Sequence, residues 1–322
     1  MATGALRTAS VPVVRVDGVA DARAWAAGHR HELRGILRAQ GAVLVRGLGL
    51  CDVGGVADVA TAMGIRLMVE REAFAPRTAY TGSLYSGSHW PSDEPMCMHH
   101  ELSYLRQPPS LMIFACLVAP STGGATAVAD SSALLDALPG ATLDRLASEG
   151  WLLTRNYGGP VGLPWPDAFG TGSRDAVDRY CRDNGIEAEW SGDNLRTRQR
   201  LPAFVRHPVS GRRCWFNQIS FLSEWSLDPD VRDYLVSVLG AEGLSFNSAW
   251  GDGEPFPPEL IRRINAVYDQ VMLREPWSAD DLMLVDNIRM AHSREPFDGQ
   301  RAIVTGLGNP VRLADEPAHP RP

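Results

Sequence analysis

Lysine is absent from this sequence of 322 residues, in which all 31 basic residues are arginine. Schiff-base catalysis, attachment of pyridoxal phosphate and phosphate binding by a P-loop each depend on a lysine amine. The absence of that amine therefore excludes these three kinds of active site.

Cysteine is also scarce, and long apolar runs are missing. The five cysteines are widely spaced and form no Cys-x-x-Cys pair. An isolated, odd-numbered set is typical of reduced thiols in the cytosol and argues against a disulfide framework or a zinc ribbon. Residues 1–16 lack the apolar core of a secretory signal, and no segment approaches the length of a membrane span. We therefore expect a soluble, cytoplasmic protein without a membrane partner.

An excess of positive charge is missing as well. The formal net charge is −7, and no basic face stands out that could neutralise phosphates, which argues against a nucleic-acid partner. With 44% apolar and 21% charged residues, the composition is ordinary for a soluble globular protein. The chain is long enough to bury a substantial core. These features favour a globular protein without a nucleic-acid partner.

The stretch of residues 98–104, Met-His-His-Glu-Leu-Ser-Tyr, is the strongest chemical signal in the chain. In an extended strand alternate side chains leave the same face, so His99 and Glu101 are expected to project together and His100 to point away. One more histidine would complete a triad of two histidines and a carboxylate, which leaves half the positions of an octahedral iron open. Because His-x-Glu occurs by chance in many chains, the rest of the sequence has to supply the third ligand.

Hydrophobic periodicity predicts both helices and strands. Helices are expected at residues 21–40, 53–63, 131–138, 143–147, 174–184, 230–239 and 258–273. Strands are expected at residues 13–16, 42–45, 111–118, 151–156, 203–207 and 213–216, with two more around His292 within residues 282–307. Two long segments rich in glycine and proline, residues 74–95 and 158–171, are typical of functional loops.

Short strands in both halves of the chain predict an α+β protein with a mainly β core, a sandwich of two sheets flanked by helices. A jelly roll fits this pattern because its early and late strands lie side by side, which would bring His99 close to His292. No linker divides the chain, so residues 1–314 are expected to form one domain. Residues 315–322, rich in proline and charge, are expected to be a disordered tail.

A longer motif surrounds the second histidine. Residues 286–301, Asp-Asn-Ile-Arg-Met-Ala-His-Ser-Arg-Glu-Pro-Phe-Asp-Gly-Gln-Arg, closely resemble the C-terminal signature of the taurine dioxygenase-like (TauD/TfdA) family. Its members are iron(II)- and 2-oxoglutarate-dependent oxygenases with a cupin-like double-stranded β-helix fold. His-x-Glu in place of the commoner His-x-Asp, followed by Leu-Ser-Tyr, is similar to the branch of clavaminate synthase and amino-acid hydroxylases. Trp-Phe-Asn-Gln at residues 215–218 and the insertion at residues 158–184 extend the resemblance over most of the chain.

The resemblance implies a dioxygenase (an oxidoreductase) with Fe(II) as cofactor and with 2-oxoglutarate and O2 as cosubstrates. His99 and Glu101 match the first two iron ligands of the family, and His292 matches the distal one. These three residues are therefore the predicted metal-binding and catalytic set.

Thr126 and Arg301 are the 2-oxoglutarate contacts that the resemblance implies. Thr126 follows two glycines and matches the position that hydrogen-bonds the cosubstrate's carboxylate, although a threonine there could simply be a turn residue. Arg301 matches the arginine that pairs with the far carboxylate, and a planar, always-charged fork suits that role through two parallel hydrogen bonds. Some relatives carry this arginine further from the histidine, so Arg294 is the nearest competitor.

The same branch implies a small amino-acid-like substrate, free or tethered to a carrier protein, in natural-product biosynthesis. Hydroxylation of an unactivated carbon is the expected outcome; desaturation or cyclisation stays open because both begin with the same hydrogen abstraction. Arg155 is the candidate for a substrate carboxylate. Asn217 and Gln218 are candidates either for substrate binding or for capping a backbone bend. The two long loops carry aromatic side chains that are expected to cover the pocket: Tyr80, Tyr85, Trp90, Trp165 and Phe169.

Other classes of protein use part of this residue set. A zinc hydrolase could hold an activated water with two histidines and a glutamate, but it has no use for a dicarboxylate clamp. A non-catalytic ligand-binding β-sandwich needs no His/Glu/His set. A radical halogenase needs an open coordination position where the carboxylate ligand stands, and Glu101 occupies that position. Decarboxylation of 2-oxoglutarate that requires ferrous iron would separate an oxygenase from the hydrolase and the binding protein.

Overall fold

Helices are interspersed among runs of consecutive strands along the described chain. The computed structural model describes residues 10–158 and 162–313. The helices are α1 (Ala22–Gln40), α2 (Val53–Ala62), α3 (Ser132–Ala137), α4 (Gly140–Glu149), α5 (Trp165–Phe169), α6 (Arg174–Asn184), α7 (Pro229–Leu239) and α8 (Pro258–Val271). The strands are β1 (Val13–Arg15), β2 (Ala42–Arg46), β3 (Leu84–Ser86), β4 (Met96–His99), β5 (Pro109–Val118), β6 (Thr122–Gly123), β7 (Val128–Asp130), β8 (Trp151–Tyr157), β9 (Glu187–Ser191), β10 (Asn194–Leu201), β11 (Phe204–Arg206), β12 (Arg213–Trp215), β13 (Phe246–Trp250), β14 (Leu282–Asp286), β15 (Met290–Arg294), β16 (Phe297–Asp298) and β17 (Ala302–Pro310). The mixture of helix and sheet expected from the sequence is confirmed.

Local capping signals set the helix boundaries that periodicity predicted. The Asp21 side chain accepts a hydrogen bond from the Ala24 amide at 2.9 Å and begins α1. Gly41 ends that helix with a φ of +81°, in the left-handed region that glycine adopts readily. Ser173 and Gly185 play the same two parts for α6. Both helices fall within one residue of their predicted bounds.

The largest sheet has six strands in the order β1-β2-β14-β5-β17-β3. Its central strand β5 is apolar on both faces, as the predicted buried strand at residues 111–118 requires. Successive side chains enter different clusters: Ile113 packs with the layer under α1 and α2, whereas Met112 and Phe114 pack into the larger core on the other face. The sheet therefore separates an outer helical layer from the inner core.

A second, three-stranded sheet in the order β4-β15-β7 lies on the inner side. Its central strand pairs His292 with His99 on one side and with Val128 on the other. The ring of Phe114 from the six-stranded sheet lies 5.1 Å from the ring of His292, centroid to centroid. The two sheets thus face each other across this histidine pair. Within the described residues the sheets stay separate and do not close into one barrel.

Several local predictions were wrong. The hairpin of β9 and β10 was missed because both strands are mostly polar, and only alternate residues of β10 are buried. Residues 282–307 contain four strands instead of two. The predicted loops at 74–95 and 158–171 contain the short strand β3 and the helix α5.

The predicted tail at residues 315–322 lies outside the described residues. No described helix has the length and apolar character needed to cross a membrane.

Candidate metal centre and active site

Three buried side chains from distant parts of the chain meet between the two sheets. His99 is the last residue of β4 and lies directly opposite His292 of β15, with ring centroids 4.4 Å apart. The Oε2 atom of Glu101 lies 3.8 Å from His99 Nε2 and 3.4 Å from His292 Nε2. One candidate ligand atom from each residue falls within 4.8 Å of the others. The structure therefore brings together the three side chains predicted as metal ligands.

Glu101 reaches this position by a different route from the one predicted. β4 ends at His99, and residues 101–104 form a turn in which Leu102 has a φ of +50°. The prediction that His99 and Glu101 project together agrees with the structure, but the strand alternation from which it was derived is absent at Glu101. His100 does point away from the triad, since its Nδ1–H donates to the Asn287 carbonyl at 2.6 Å.

Asn287 holds the turn in place, and sequence analysis did not single it out. Its side-chain oxygen accepts from the Glu101 amide at 2.8 Å, and its Nδ2 donates to the Glu101 carbonyl at 2.9 Å. The same Nδ2 also donates to the Pro109 carbonyl at 2.7 Å. A single buried amide thus satisfies both backbone groups of Glu101. Its position beside Asp286 at the start of the signature was the only signal in the sequence.

The protonation states suit a cation. The Nδ1–H of His99 donates to the Cys97 carbonyl at 2.8 Å, which leaves the Nε2 lone pair facing the site. Burial, followed by the nearby His99 ring, lowers the pKa of His292 to about 4, so this ring is neutral at neutral pH. Burial alone would raise the pKa of Glu101, but the Arg77 guanidinium and the two imidazoles outweigh burial and hold it well below its ordinary value.

The donor set fits a first-row divalent metal. Ligand atoms at neighbouring positions of an octahedral ion with bonds of about 2.1 Å lie about 3 Å apart. The distances of 3.4 and 3.8 Å from the Glu101 oxygen to the two imidazole nitrogens need a contraction of less than 1 Å to reach that value. Phe221 stacks on the His99 ring at 4.3 Å and restricts its rotation. Two imidazoles and one carboxylate on one face of the ion leave the opposite face open.

The predicted 2-oxoglutarate contacts line the same pocket as the triad. Arg301 donates from Nε to the Gly124 carbonyl at 3.0 Å and from Nη2 to Thr126 Oγ1 at 3.5 Å. Burial, followed by the nearby Arg294 charge, lowers the pKa of Arg301 to about 10. No carboxylate of the described residues is among the groups that shift this pKa. Arg301 is therefore a part-buried cation with no acidic partner among the described residues, which suits the binding of a carboxylate.

Arg294, the competitor for that clamp, also lines the pocket, but both of its Nη atoms are already engaged; its buried Nε has no hydrogen-bond partner among the described residues. Its guanidinium donates to the backbone carbonyls of Trp90, Pro91 and Glu94. This residue anchors the end of the loop that leads into β4. The hydrogen bonds therefore favour Arg301 over Arg294 as the arginine available to a cosubstrate.

The structure does not bring the three predicted substrate residues into the lining of this pocket. Asn217 caps a bend: its Nδ2 donates to the Ala203 carbonyl, and its oxygen accepts from the Ile219 amide. Gln218 donates to the His100 carbonyl at 2.7 Å and so supports the turn that carries Glu101. The described lining also contains none of the five loop aromatics expected to cover the pocket; the aromatic ring that it contains is Phe114.

Arg155 is buried, and its guanidinium donates hydrogen bonds to the backbone of a neighbouring segment. It donates to the carbonyls of Glu72 and Ala73 at 2.8 and 2.7 Å, and its guanidinium lies 4.7 Å from the centre of the Tyr157 ring. We therefore expect Arg155→Met to lower the free energy of unfolding by about 1–3 kcal/mol, because a buried acceptor loses its donor. The substrate KM of folded enzyme should stay unchanged. Denaturant unfolding and steady-state kinetics check this.

Arg198→Met, on the exposed face of β10, is the matched control and should change the free energy of unfolding by no more than about 0.5 kcal/mol. A rise in substrate KM for Arg155→Met at unchanged stability would instead restore its predicted role in substrate binding.

A buried triad of two histidines and one carboxylate, beside a part-buried arginine that has no acidic partner in the described part of the chain, defines a mononuclear metal enzyme with a place for an anionic cosubstrate. Residues 9–307 match the model of the family described as taurine catabolism dioxygenase TauD, TfdA family. The chain belongs to this family. It is an iron(II)- and 2-oxoglutarate-dependent dioxygenase, with Fe(II) as its cofactor and 2-oxoglutarate and O2 as cosubstrates.

Two curated relatives align over most of their length. The dapdiamide synthesis protein DdaC of Enterobacter agglomerans is 30% identical over 282 residues, which cover 87% of this chain and 86% of that protein. A clavaminate synthase-like protein of Arabidopsis thaliana is 27% identical over 289 residues, which cover 86% of this chain and 84% of that protein. The resemblance to the clavaminate-synthase branch noted in the sequence agrees with these relatives.

Solved structures share the fold. PvcB from Pseudomonas aeruginosa superposes with a TM-score of 0.52 at 15% identity, covering 94% of this chain and 90% of that chain. A taurine dioxygenase from Burkholderia xenovorans gives a TM-score of 0.52 at 15% identity, covering 94% and 89% of the two chains. At this identity the agreement concerns the fold alone.

Proposed function

We propose that this dioxygenase hydroxylates an unactivated carbon of a small amino-acid-like substrate, and that it does so in natural-product biosynthesis. The observation that carries the proposal is the pocket shared by the His99, Glu101 and His292 side chains and the part-buried cation Arg301, which has no acidic partner among the described residues. A metal and a dicarboxylate can be held there side by side. The name of the relative DdaC, which refers to dapdiamide synthesis, supports a biosynthetic role.

In this proposal His99, Glu101 and His292 hold the iron, and Arg301 with Thr126 holds 2-oxoglutarate. Iron(II) with 2-oxoglutarate and O2 supplies an oxidant able to remove hydrogen from an unactivated carbon, with succinate and carbon dioxide as coproducts. Arg301 orients the cosubstrate by a charge-assisted pair with its far carboxylate. The Thr126 hydroxyl, 3.5 Å from the Arg301 guanidinium, is close enough to bond the same ligand.

The remaining residues keep the site ordered and dry. Phe221 and Phe114 pack against the rings of His99 and His292, which excludes water from the apolar side of the ligands. Asn287 and Gln218 hold the turn that carries Glu101. These four residues take no part in the reaction, and they restrict the three metal-binding side chains to one geometry.

The finer description of the fold is also a proposal. We infer that the two facing sheets are the halves of the double-stranded β-helix of the family, since early β4 and late β15 are neighbours. We further infer one dioxygenase domain over residues 1–314, which the family match over residues 9–307 supports. The inferred tail at residues 315–322 lies outside the described residues.

The substrate is tested by incubating iron-loaded enzyme with 2-oxoglutarate and a panel of free amino acids. We expect at least one amino acid to stimulate succinate formation and to yield a product heavier by one oxygen atom. A product lighter by two hydrogen atoms would indicate desaturation or cyclisation instead. If no free amino acid stimulates succinate formation, the free-substrate version is wrong, and carrier-bound amino acids are assayed in the same way.

A further inference from the structure

The two carboxylate oxygens of Glu101 face different partners. Oε2 faces the imidazoles of His99 and His292, at 3.8 and 3.4 Å. Oε1 faces away from them and lies 3.0 Å from Nη2 of Arg77. Both side chains of this ion pair are buried, since they are 2% and 5% exposed. One oxygen is thus free for a metal and the other is engaged.

Two hydrogen bonds and one longer ion pair surround the Arg77 guanidinium. In addition to the Glu101 contact, its Nε donates to Ser88 Oγ at 3.0 Å, and Nη1 lies 3.5 Å from the Glu70 carboxylate. The planar guanidinium cannot turn without breaking at least one of these contacts. The Glu101 oxygen therefore meets a donor of fixed position.

The segment that carries Arg77 is itself braced. It belongs to the long irregular stretch at residues 74–95, where two short runs of backbone pair across the loop. The Ser86 amide donates to the Thr78 carbonyl at 2.9 Å, and the His89 amide donates to the Pro76 carbonyl at 2.9 Å. These bonds flank Arg77 on both sides and fix the place from which its side chain enters the pocket.

A metal site with glutamate as its carboxylate ligand needs such a restraint. Glutamate is one methylene longer than aspartate, so its carboxylate has an extra rotatable bond and can present one or both oxygens to a cation. Binding through both oxygens would fill a fourth position of the ion. The two positions that remain are too few for a chelating cosubstrate and O2, which together need three, so the second Glu101 oxygen would compete for a position that the cosubstrate uses. Binding through one oxygen preserves the open face.

Glu70 keeps this arrangement compatible with a cation nearby. A lone guanidinium beside the site would repel a divalent metal. The buried Glu70 carboxylate, 7% exposed, lies on the far side of Arg77 and offsets its charge. The arginine can therefore restrain the ligand oxygen while adding little net positive charge.

From these contacts we propose that Arg77 is a positioning residue that limits Glu101 to binding the metal through one oxygen. The inference rests on the ligand set given under Proposed function. Arg77 lies outside the motifs that carry the family resemblance. It gives the long loop a role in the metal site as well as in enclosing the pocket.

The test uses Mn(II) as a probe, because free Mn(II) is counted directly by its EPR signal. Arg77→Gln is expected to bind Mn(II) within about threefold of the wild-type affinity, since Glu101 remains a ligand. The affinity of the Mn(II)-loaded variant for 2-oxoglutarate should fall about tenfold, because the released oxygen competes for a position that the cosubstrate needs. A crystal structure of the Mn(II)-loaded variant should show both Glu101 oxygens at bonding distance.

Arg77→Lys keeps the positive charge but replaces the fork with a single ammonium. We expect it to lose 2-oxoglutarate affinity in the same direction as Arg77→Gln. Wild-type affinity in the lysine variant would overturn the role of the fork. Arg46→Gln is the matched control, because Arg46 also pairs with a buried carboxylate, that of Asp281, but lies outside the pocket. It should leave both affinities unchanged.

His292→Ala tests the metal-ligand set separately from the role of Arg77. Retained Mn(II) binding in His292→Ala would refute the ligand set itself and with it the role of Arg77. If His292→Ala loses Mn(II) while Arg77→Gln binds 2-oxoglutarate like wild type, with Glu101 bonded through one oxygen, the inference about Arg77 alone is wrong.

Discussion

His99→Ala and His292→Ala are each expected to abolish iron binding and 2-oxoglutarate turnover together. Each substitution removes one of the two imidazole nitrogens that face the Glu101 carboxylate. Loss of an outer partner of a metal ligand typically changes affinity by about 10–100-fold, so loss of a ligand should exceed that range. Iron content after anaerobic reconstitution and succinate formation measure the two effects in the same samples.

The neighbouring histidine is the control for this pair. His100→Asn keeps an amide donor for the Asn287 carbonyl, so the turn beneath the site should survive and iron should remain bound. His207→Ala, in the β11–β12 connection, should also retain iron, because His207 pairs with Asp286 and is not part of the triad. Loss of iron in His100→Asn together with retention in His99→Ala would place the ligand register one residue away.

The candidate site was largely predictable from side-chain identity, and its supporting contacts were not. A short motif names His99 and Glu101, and the C-terminal signature names His292. The conformation that lets Glu101 reach the site depends instead on Asn287, whose amide bonds both backbone groups of that residue. This contact joins distant parts of the chain, so no local sequence pattern predicts it.

The arginines show the same limit clearly, because every basic residue of this chain is an arginine. Arg155 donates hydrogen bonds to two backbone carbonyls, and Arg77 faces two carboxylates. Arg301 faces no carboxylate among the described residues. These are three different functions of one residue type. In the sequence, only the family resemblance distinguished Arg301, and nothing singled out Arg77. The sequence suggested a substrate contact for Arg155, which its hydrogen bonds do not favour.

The fold was predictable where local signals agree with tertiary structure. The caps of α1 and α6 and the apolar run of β5 are all local features, and the predicted elements fall at or near the observed bounds. The polar hairpin of β9 and β10 lacks an apolar run. Strand β10 also pairs over residues 195–201 with β8, which is a long-range interaction that no local pattern shows.

Arg301→Gln is expected to raise the dissociation constant for 2-oxoglutarate about ten- to hundredfold, because it removes a charge-assisted pair worth about 1.5–3 kcal/mol. Iron binding should survive, since Arg301 contacts Gly124 and Thr126 but none of the three metal ligands. Calorimetric titration of 2-oxoglutarate into the Mn(II)-loaded protein measures the constant without requiring the substrate. Because the guanidinium already lies in the pocket, little reorganisation should accompany binding in the wild-type protein.

Arg294→Gln distinguishes the two arginines of the pocket. Arg294 donates to three backbone carbonyls in the segment before β4, so its loss should lower the melting temperature by a few degrees, about what 1 kcal/mol of stability represents. Its effect on the 2-oxoglutarate constant should be smaller than that of Arg301→Gln. An unchanged constant in Arg301→Gln together with a raised constant in Arg294→Gln would reassign the clamp to Arg294. Arg301, a part-buried charge with no acidic partner among the described residues, would then need a different anion.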